Sequence, residues 1–362
     1  MDVFVSNDEV FITDTKNHRV RKVLKNGDIV TIAGNGSQGY NGEDLPATEA
    51  QLNSPVSVFV SSSDEVYICE SDGNRIRKIK KDGNIVTVVG TGKHGYNGDN
   101  ILATDANLNC PFGIFVTDVG VIYIAEWQGH RIRKVQTNRI ISTIAGNGHK
   151  AFGGDNALAV NATLDSPSSV TLSPNGEVFI SEHYSNRIRK IQKDGIIVTV
   201  AGTGYTGYNG DDQPATKAHI HGPAFVKISR HGEVYFSEFY GHRIRKVLHD
   251  GTIQTVVGIG SYSPTSLKEG LPAQQSYIDC SGFFLTEDDE CYVASSSKCC
   301  VKKIDRNGIL TTFAGTGEQG YGGDVPFDFK KYPHLGKKKQ FSKREGWFVK
   351  AYYDMNFRVS QD

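Results

Sequence analysis

A repeat constrains what this chain can fold into. The segment His18-Arg19-Val20-Arg21-Lys22-Val23 returns as Asn74-Arg75-Ile76-Arg77-Lys78-Ile79 and as His130-Arg131-Ile132-Arg133-Lys134-Val135. It returns again as Asn186-Arg187-Ile188-Arg189-Lys190-Ile191 and His242-Arg243-Ile244-Arg245-Lys246-Val247. The step is 56 residues each time. A sixth copy, Cys299-Cys300-Val301-Lys302-Lys303-Ile304, is degraded and shifted by one. The glycine closing each unit keeps the same beat at Gly34, Gly90, Gly146, Gly202, Gly258 and Gly315. Six units take up nearly all of the 362 residues. A fixed period of roughly 50 residues marks a propeller or a solenoid.

Each unit holds four short β-type segments. In the second they are Val56–Val60, Glu65–Cys69, Arg75–Ile79 and Ile85–Val89, separated by Gly, Asn, Asp or Ser. Val66-Tyr67-Ile68-Cys69 is apolar on both faces, as expected of a sheet covered on both sides. The pattern predicts an all-β fold: a six-bladed β-propeller of four-stranded antiparallel blades, with short helices in the linkers. A β-helix fits less well, because its repeat is much shorter.

Composition narrows the function classes. The chain has 40 Lys and Arg against 40 Asp and Glu, without the basic excess of a dedicated nucleic-acid binder. No apolar run is long enough to span a bilayer, and Met1–Asp8 has no signal-peptide pattern. The compartment is not legible. Relative to the repeat both ends look cut, as in one domain of a longer cell-surface or intracellular protein.

The pattern Pro55-Val-Ser-Val-Phe-Val, Glu65-Val-Tyr-Ile, Asn74-Arg-Ile-Arg-Lys-Ile and Ile85-Val-Thr-Val-Val-Gly resembles the NHL repeat. The linker from Gly95-Tyr96-Asn97-Gly98-Asp99 to Ala103-Thr104-Asp105-Ala106 resembles the longer variety of teneurin-type and bacterial NHL propellers. The resemblance covers residues 2–324 and implies a binding platform for protein, RNA or carbohydrate-bearing partners. A minority of related six-bladed propellers are lyases or lactonases. Function therefore has to come from the residues.

One repeated pair invites a structural role. The second strand ends in Asp14, Glu70, Glu126, Glu182 and Glu238, and Arg19, Arg75, Arg131, Arg187 and Arg243 follow five residues later. In unit six the acid becomes Ser295 and the Arg becomes Cys300, a joint loss expected of a pair, since a lone buried charge is costly. Five intrablade acid–Arg bridges are the expectation. They also argue against reading the basic stripes as an RNA surface. His18, His130 and His242 alternate with Asn74 and Asn186, which fits a hydrogen-bonding turn position better than a zinc ligand. The Gly-Tyr-Asn-Gly-Asp linkers lack Walker, Rossmann and EF-hand spacing and read as turns leading into short helices.

Function should lie where the units differ. The second-to-third loops of units three to five carry Trp127, His183, Tyr184, Phe239 and Tyr240. They form a candidate binding patch, the alternative being that they pack down on the linkers. A second ring, Asn53, Asn109, Asp165, His221 and Asp279, precedes the innermost strands and should circle the upper mouth of the channel. Its Asp165, His221 and Asp279 make a divalent cation the only cofactor to consider; otherwise none is expected. The alternative is that these residues simply form turns before Pro55, Pro111, Pro167 and Pro223. No catalytic motif stands out.

Four of six cysteines crowd unit six; free thiols are expected, with a Cys291–Cys300 disulfide as the alternative. Residues 325–362 carry nine basic against four acidic side chains and read as an extension to the propeller at 1–324. The reading is a non-enzymatic scaffold with a protein partner. Nucleic acid is not expected, and a membrane surface could be met only through the tail. The rivals are a metal-dependent lyase or hydrolase at the channel mouth, and an RNA-binding NHL domain.

Overall fold

The computed structural model describes residues 2–261, 269–317 and Asp324. The 325–362 extension and most of the last linker lie outside the described residues. Six antiparallel sheets follow one another along the chain. Blade two shows the plan: inner strand Pro55–Val60, then Val66–Glu70, Arg75–Ile79 and the outer Asn84–Val89. The inner strands of the other blades are Val3–Ser6, Pro111–Val116, Pro167–Leu172, Pro223–Ile228 and Gly282–Leu285. These inner strands pack side by side around a central axis, blade six against blade one. Among the described residues no helix is long and apolar enough to cross a membrane.

The linkers depart from expectation in two ways. Where short helices were expected, each holds a single 3-10 turn, such as Ala47–Glu49 and Ala103–Asp105. Its buried alanine, with Leu52 or Leu108 following, wedges between blades. Each linker also lays a two-residue strand on the outer edge of the coming blade, Leu45–Pro46 beside Asn84–Val89 in blade two. Among the described residues, blades two to six therefore have five strands and blade one four.

The acid–Arg expectation needs correction. Asp14, Glu70, Glu126, Glu182 and Glu238 do oppose Arg19, Arg75, Arg131, Arg187 and Arg243 in register. In blades two to five the ion pair is made with the arginine two residues further on. Arg77 lies 3.9 Å from Glu70, Arg133 3.5 Å from Glu126, Arg189 2.7 Å from Glu182 and Arg245 3.5 Å from Glu238. The first arginine ends its strand, so its side chain lies over the adjoining loops. Arg75 donates to the carbonyls of Gly73 and Thr91 at 3.1 and 2.9 Å, under the ring of Tyr40. Gly92 is glycine for this reason: its φ is +86°, and a Cβ there would fall 2.2 Å from the Arg75 guanidinium.

The second arginine is a fully buried hub. Besides the inner Glu it meets the acid of the preceding linker. Arg133 is 3.0 Å from Asp99, Arg189 2.6 Å from Asp155 and Arg245 2.8 Å from Asp211. A threonine of the outer strand joins the same acid: Thr143 donates to Asp99 at 3.1 Å. The Gly-Tyr-Asn-Gly-Asp linker is thus a clamp whose ring covers two arginines and whose acid pins one. Arg21 of blade one takes its linker acid from the far end of the chain, Asp324, at 2.5 Å, and Thr31 donates to the same carboxylate at 3.1 Å. Phe4 packs on Phe284 at 4.7 Å where blade one meets blade six, and Asp324 adds an ionic closure.

The His/Asn turn position sits in left-handed backbone in every blade, with φ of 48–53°. In blades one to four the side chain there accepts a backbone N–H from the start of the next blade. Asn74 Oδ1 takes Cys110 N at 3.0 Å, and His130 Nδ1 takes Ser166 N at 3.2 Å. Asn and a neutral His both offer that acceptor. Burial keeps His18, His130 and His242 below the usual imidazole pKa. All six cysteines are buried and none forms a disulfide, so Cys291 and Cys300 are not bridged.

Candidate functional site

The second-to-third loops and the residues before the inner strands open on one face. In blades three to five this face carries a continuous cluster of rings. Trp127 lies 4.8 Å from His183 and 5.5 Å from Tyr184. His183 lies 5.3 Å from Tyr240 and 6.2 Å from Phe239, and Tyr240 reaches His221 at 5.4 Å. All five residues of the predicted patch therefore meet, together with one member of the predicted mouth ring.

The cluster has a floor and a rim. Trp127 and His183 are 7% and 5% exposed, whereas Tyr184 and Tyr240 are 44% and 47% exposed. Two rings pack down and two stand up. The floor continues inward through Phe112, 5.0 Å from Trp127, to Phe225 at 6.2 Å. Sequence reasoning missed these two because they lie on inner strands. The signal was there: where Phe112 and Phe225 stand, other units have Val56 and Ser168, or Ser57 and Ser169. Lys150 of a linker, also missed, sits 5.2 Å over the Tyr184 ring.

Electrostatics keep the rings of this surface uncharged at pH 7. Burial pushes His183 down to about 4, and nearby His221 adds to the effect. Burial also lowers His221. Tyr184 is raised by burial, with Tyr240 and Asp165 contributing. Nδ1 of His183 has no hydrogen-bond partner among the described residues. Such a surface can stack on rings or apolar groups and accept one hydrogen bond. It offers no paired nucleophile and base.

The mouth ring is used mainly through its backbone. Asn53, Asn109, Asp165 and His221 each donate a backbone N–H to the inner Glu of their own blade, at 3.1, 3.3, 2.9 and 3.4 Å. A backbone donor explains why the residue type varies there. The side chains turn to local partners: Asn53 to Gln38, Asn109 to the Gln128 carbonyl, Asp165 to Ser166, and Asp279 to Ser296 and Ser297 N. Among the described residues no three His, Cys, Asp or Glu side chains gather as metal ligands, so Asp165, His221 and Asp279 do not converge.

No family model matches the chain. Among curated relatives, Protein SUPPRESSOR OF QUENCHING 1, chloroplastic, of Arabidopsis thaliana is 25% identical over 251 residues, 66% of this chain and 24% of that protein. Mouse Teneurin-4 is 27% identical over 278 residues, 65% of this chain and 10% of that protein. The chain thus spans a quarter or less of the length of these relatives. Among solved structures, virginiamycin B lyase from Staphylococcus aureus superposes with a TM-score of 0.50 at 18% identity, covering 86% of this chain and 82% of that one. At that identity the likeness concerns the fold alone. With the repeat, the blade plan and the teneurin similarity in hand, the chain is a six-bladed β-propeller whose repeats are similar to those of the teneurin-type NHL propellers.

Proposed function

We propose that the chain is a binding scaffold whose loop-rich face over blades three to five meets a protein partner. The observation that carries this reading is the ring cluster itself. Tyr184 and Tyr240 stand exposed on a rigid floor of Trp127 and His183, the composition of an interface hot spot. The unpartnered Nδ1 of His183 adds one acceptor beneath the rim. The teneurin similarity is consistent with a platform role but covers only a small part of those proteins.

An RNA-binding reading loses its main support, because Arg77, Arg133, Arg189 and Arg245 are fully buried and paired with acids. A lyase or hydrolase reading has the lyase among the structural neighbours behind it, but the mouth side chains already have local partners.

Affinity capture with the wild type, with Tyr184→Ala/Tyr240→Ala, and with Val119→Asp on the opposite face tests the proposal. A partner held by the wild type and Val119→Asp but released by the double variant is expected. Equal capture by all three removes the reading.

A further inference from the structure

The rim of the ring cluster stands on edge over its floor. Tyr184 makes angles of 71° with Trp127 and 79° with His183, and Tyr240 makes 81° with Phe239. Both tyrosines lie close to His183, at 5.0 and 5.3 Å, and stand as walls to either neighbour. Tyr240 has its place because of a glycine. Gly222 has a φ of +63°, and a Cβ there would fall 2.7 Å from Tyr240 Cδ2. Ser54, Cys110 and Ser166 hold the same left-handed position in blades two to four, so this glycine supplies room rather than backbone freedom.

The surface offers donors between its rings. Among the described residues no hydrogen bond takes up the hydroxyl of Tyr184 or Tyr240 or the indole N–H of Trp127. An indole N–H can only donate, and a phenol can donate. A fourth donor, the ammonium of exposed Lys150, sits 5.2 Å over the Tyr184 ring. The loop backbone is closed by contrast. The N–H groups of Trp127, His183 and Phe239 go to the carbonyls of Cys110, Ser166 and Gly222 at 2.9, 3.2 and 2.9 Å. An incoming strand finds no free edge in them, and an incoming helix keeps its carbonyls in its own bonds. Rings with free donors between them match a chain with free carbonyls, flat apolar side groups and no N–H of its own. A proline-rich segment in the polyproline II conformation has all three.

We propose that the cluster binds a proline-rich segment of its partner as a polyproline II helix. Its pyrrolidine rings pack against Tyr184, Tyr240 and Trp127, and its carbonyls accept from their hydroxyl and indole groups. This names the chemistry of the partner and rests on the reading of the cluster as a protein-binding face.

Titration calorimetry with decaproline tests the proposal, with a flexible glycine–serine peptide of equal length as the control. The wild type is expected to bind decaproline saturably and the control not at all. Tyr184→Phe/Tyr240→Phe keeps the rings and removes the hydroxyls, and should weaken binding about tenfold, a loss of about 1.4 kcal/mol. Tyr184→Ala/Tyr240→Ala should abolish it. Both side chains are exposed, so neither variant threatens the fold. No saturable binding of decaproline at millimolar ligand overturns the proposal. Equal binding of the control peptide, or equal affinity in the wild type and the phenylalanine variant, also overturns it. The protein-binding reading fails separately. A protein captured through Tyr184 and Tyr240 by a wild type that ignores decaproline keeps that reading and removes this one.

Discussion

Blade three and blade six solve one problem with different charge counts. In blade three, Arg133 lies between two carboxylates, Glu126 inside and Asp99 from the linker. In blade six the inner acid is Ser295, the cation is Lys302 and the linker acid is the longer Glu269. Lys302 Nζ sits 2.7 Å from Glu269 and 2.6 Å from Thr312. A guanidinium is a two-sided fork that can hold an acid on each flank, whereas an ammonium is a point charge served by one. The contact common to both blades is therefore linker acid, cation and outer-strand threonine. The inner acid is an addition, and it leaves the regular blades with one carboxylate more than they have buried cations at the hub.

Removing the hub should separate the two designs most. Arg133→Leu strands Glu126 in the interior and is expected to cost about 3–5 kcal/mol of stability. Lys302→Met strands only the partly exposed Glu269 and should cost about 1–2 kcal/mol. Equilibrium urea unfolding of both variants checks the order, and equal losses would break the comparison.

The surplus carboxylate should titrate. Burial pushes Glu126 up to about 7 against the opposing pull of Arg133. Between about pH 4.5 and 7 the folded state then keeps a proton that the unfolded state has released, so stability falls as pH rises through that window. The effect of this one group is on the order of 3 kcal/mol, and Glu126→Gln should remove it from the pH profile of the unfolding free energy. Ser295→Ala in blade six should leave the profile unchanged. A Glu126→Gln profile parallel to wild type would refute the surplus-charge account.

Ring closure offers a smaller test. Asp324→Ala deletes the linker acid of blade one, and because that carboxylate is about a third exposed the expected loss is only about 1 kcal/mol. Asp99→Ala should cost a similar amount. A cost for Asp99→Ala with none for Asp324→Ala would mean that packing alone closes the ring.

The smallest effect lies within the regular blades. Ser185 donates to Glu182 at 3.0 Å, and there the Glu–Arg distance is 2.7 Å. Blades two, three and five have Gly73, Gly129 and Gly241 in that place and distances of 3.5–3.9 Å. Ser185→Gly should cost about 0.5–1 kcal/mol in the same unfolding assay.

The blade plan was legible because a period, closing glycines and β-rich segments all state the same local rule six times. Partner choice within a blade was not. An acid at the end of one strand can reach either the first or the third residue of the next, and only the path of the first arginine across the loops decides between them. The linker acid was harder still, since Asp99 and Arg133 are far apart in sequence although the same spacing recurs at Asp155 and Asp211. The rim residues Tyr184 and Tyr240 were legible as loop aromatics. The floor beneath them was not, because Phe112 and Phe225 occupy strand positions where an aromatic passes as ordinary core.

The contact between Arg21 and Asp324 joins residues 303 positions apart in the chain. During synthesis the N-terminal domain segments generally fold first, and blade one is made first of all. Its buried arginine must then wait, one carboxylate short, until almost the whole propeller has left the ribosome. The entropy of drawing so long a chain into a loop grows only slowly with its length, so the delay is a matter of timing more than of equilibrium. Until then blade one lacks the linker acid that the other regular blades receive from the segment just before them.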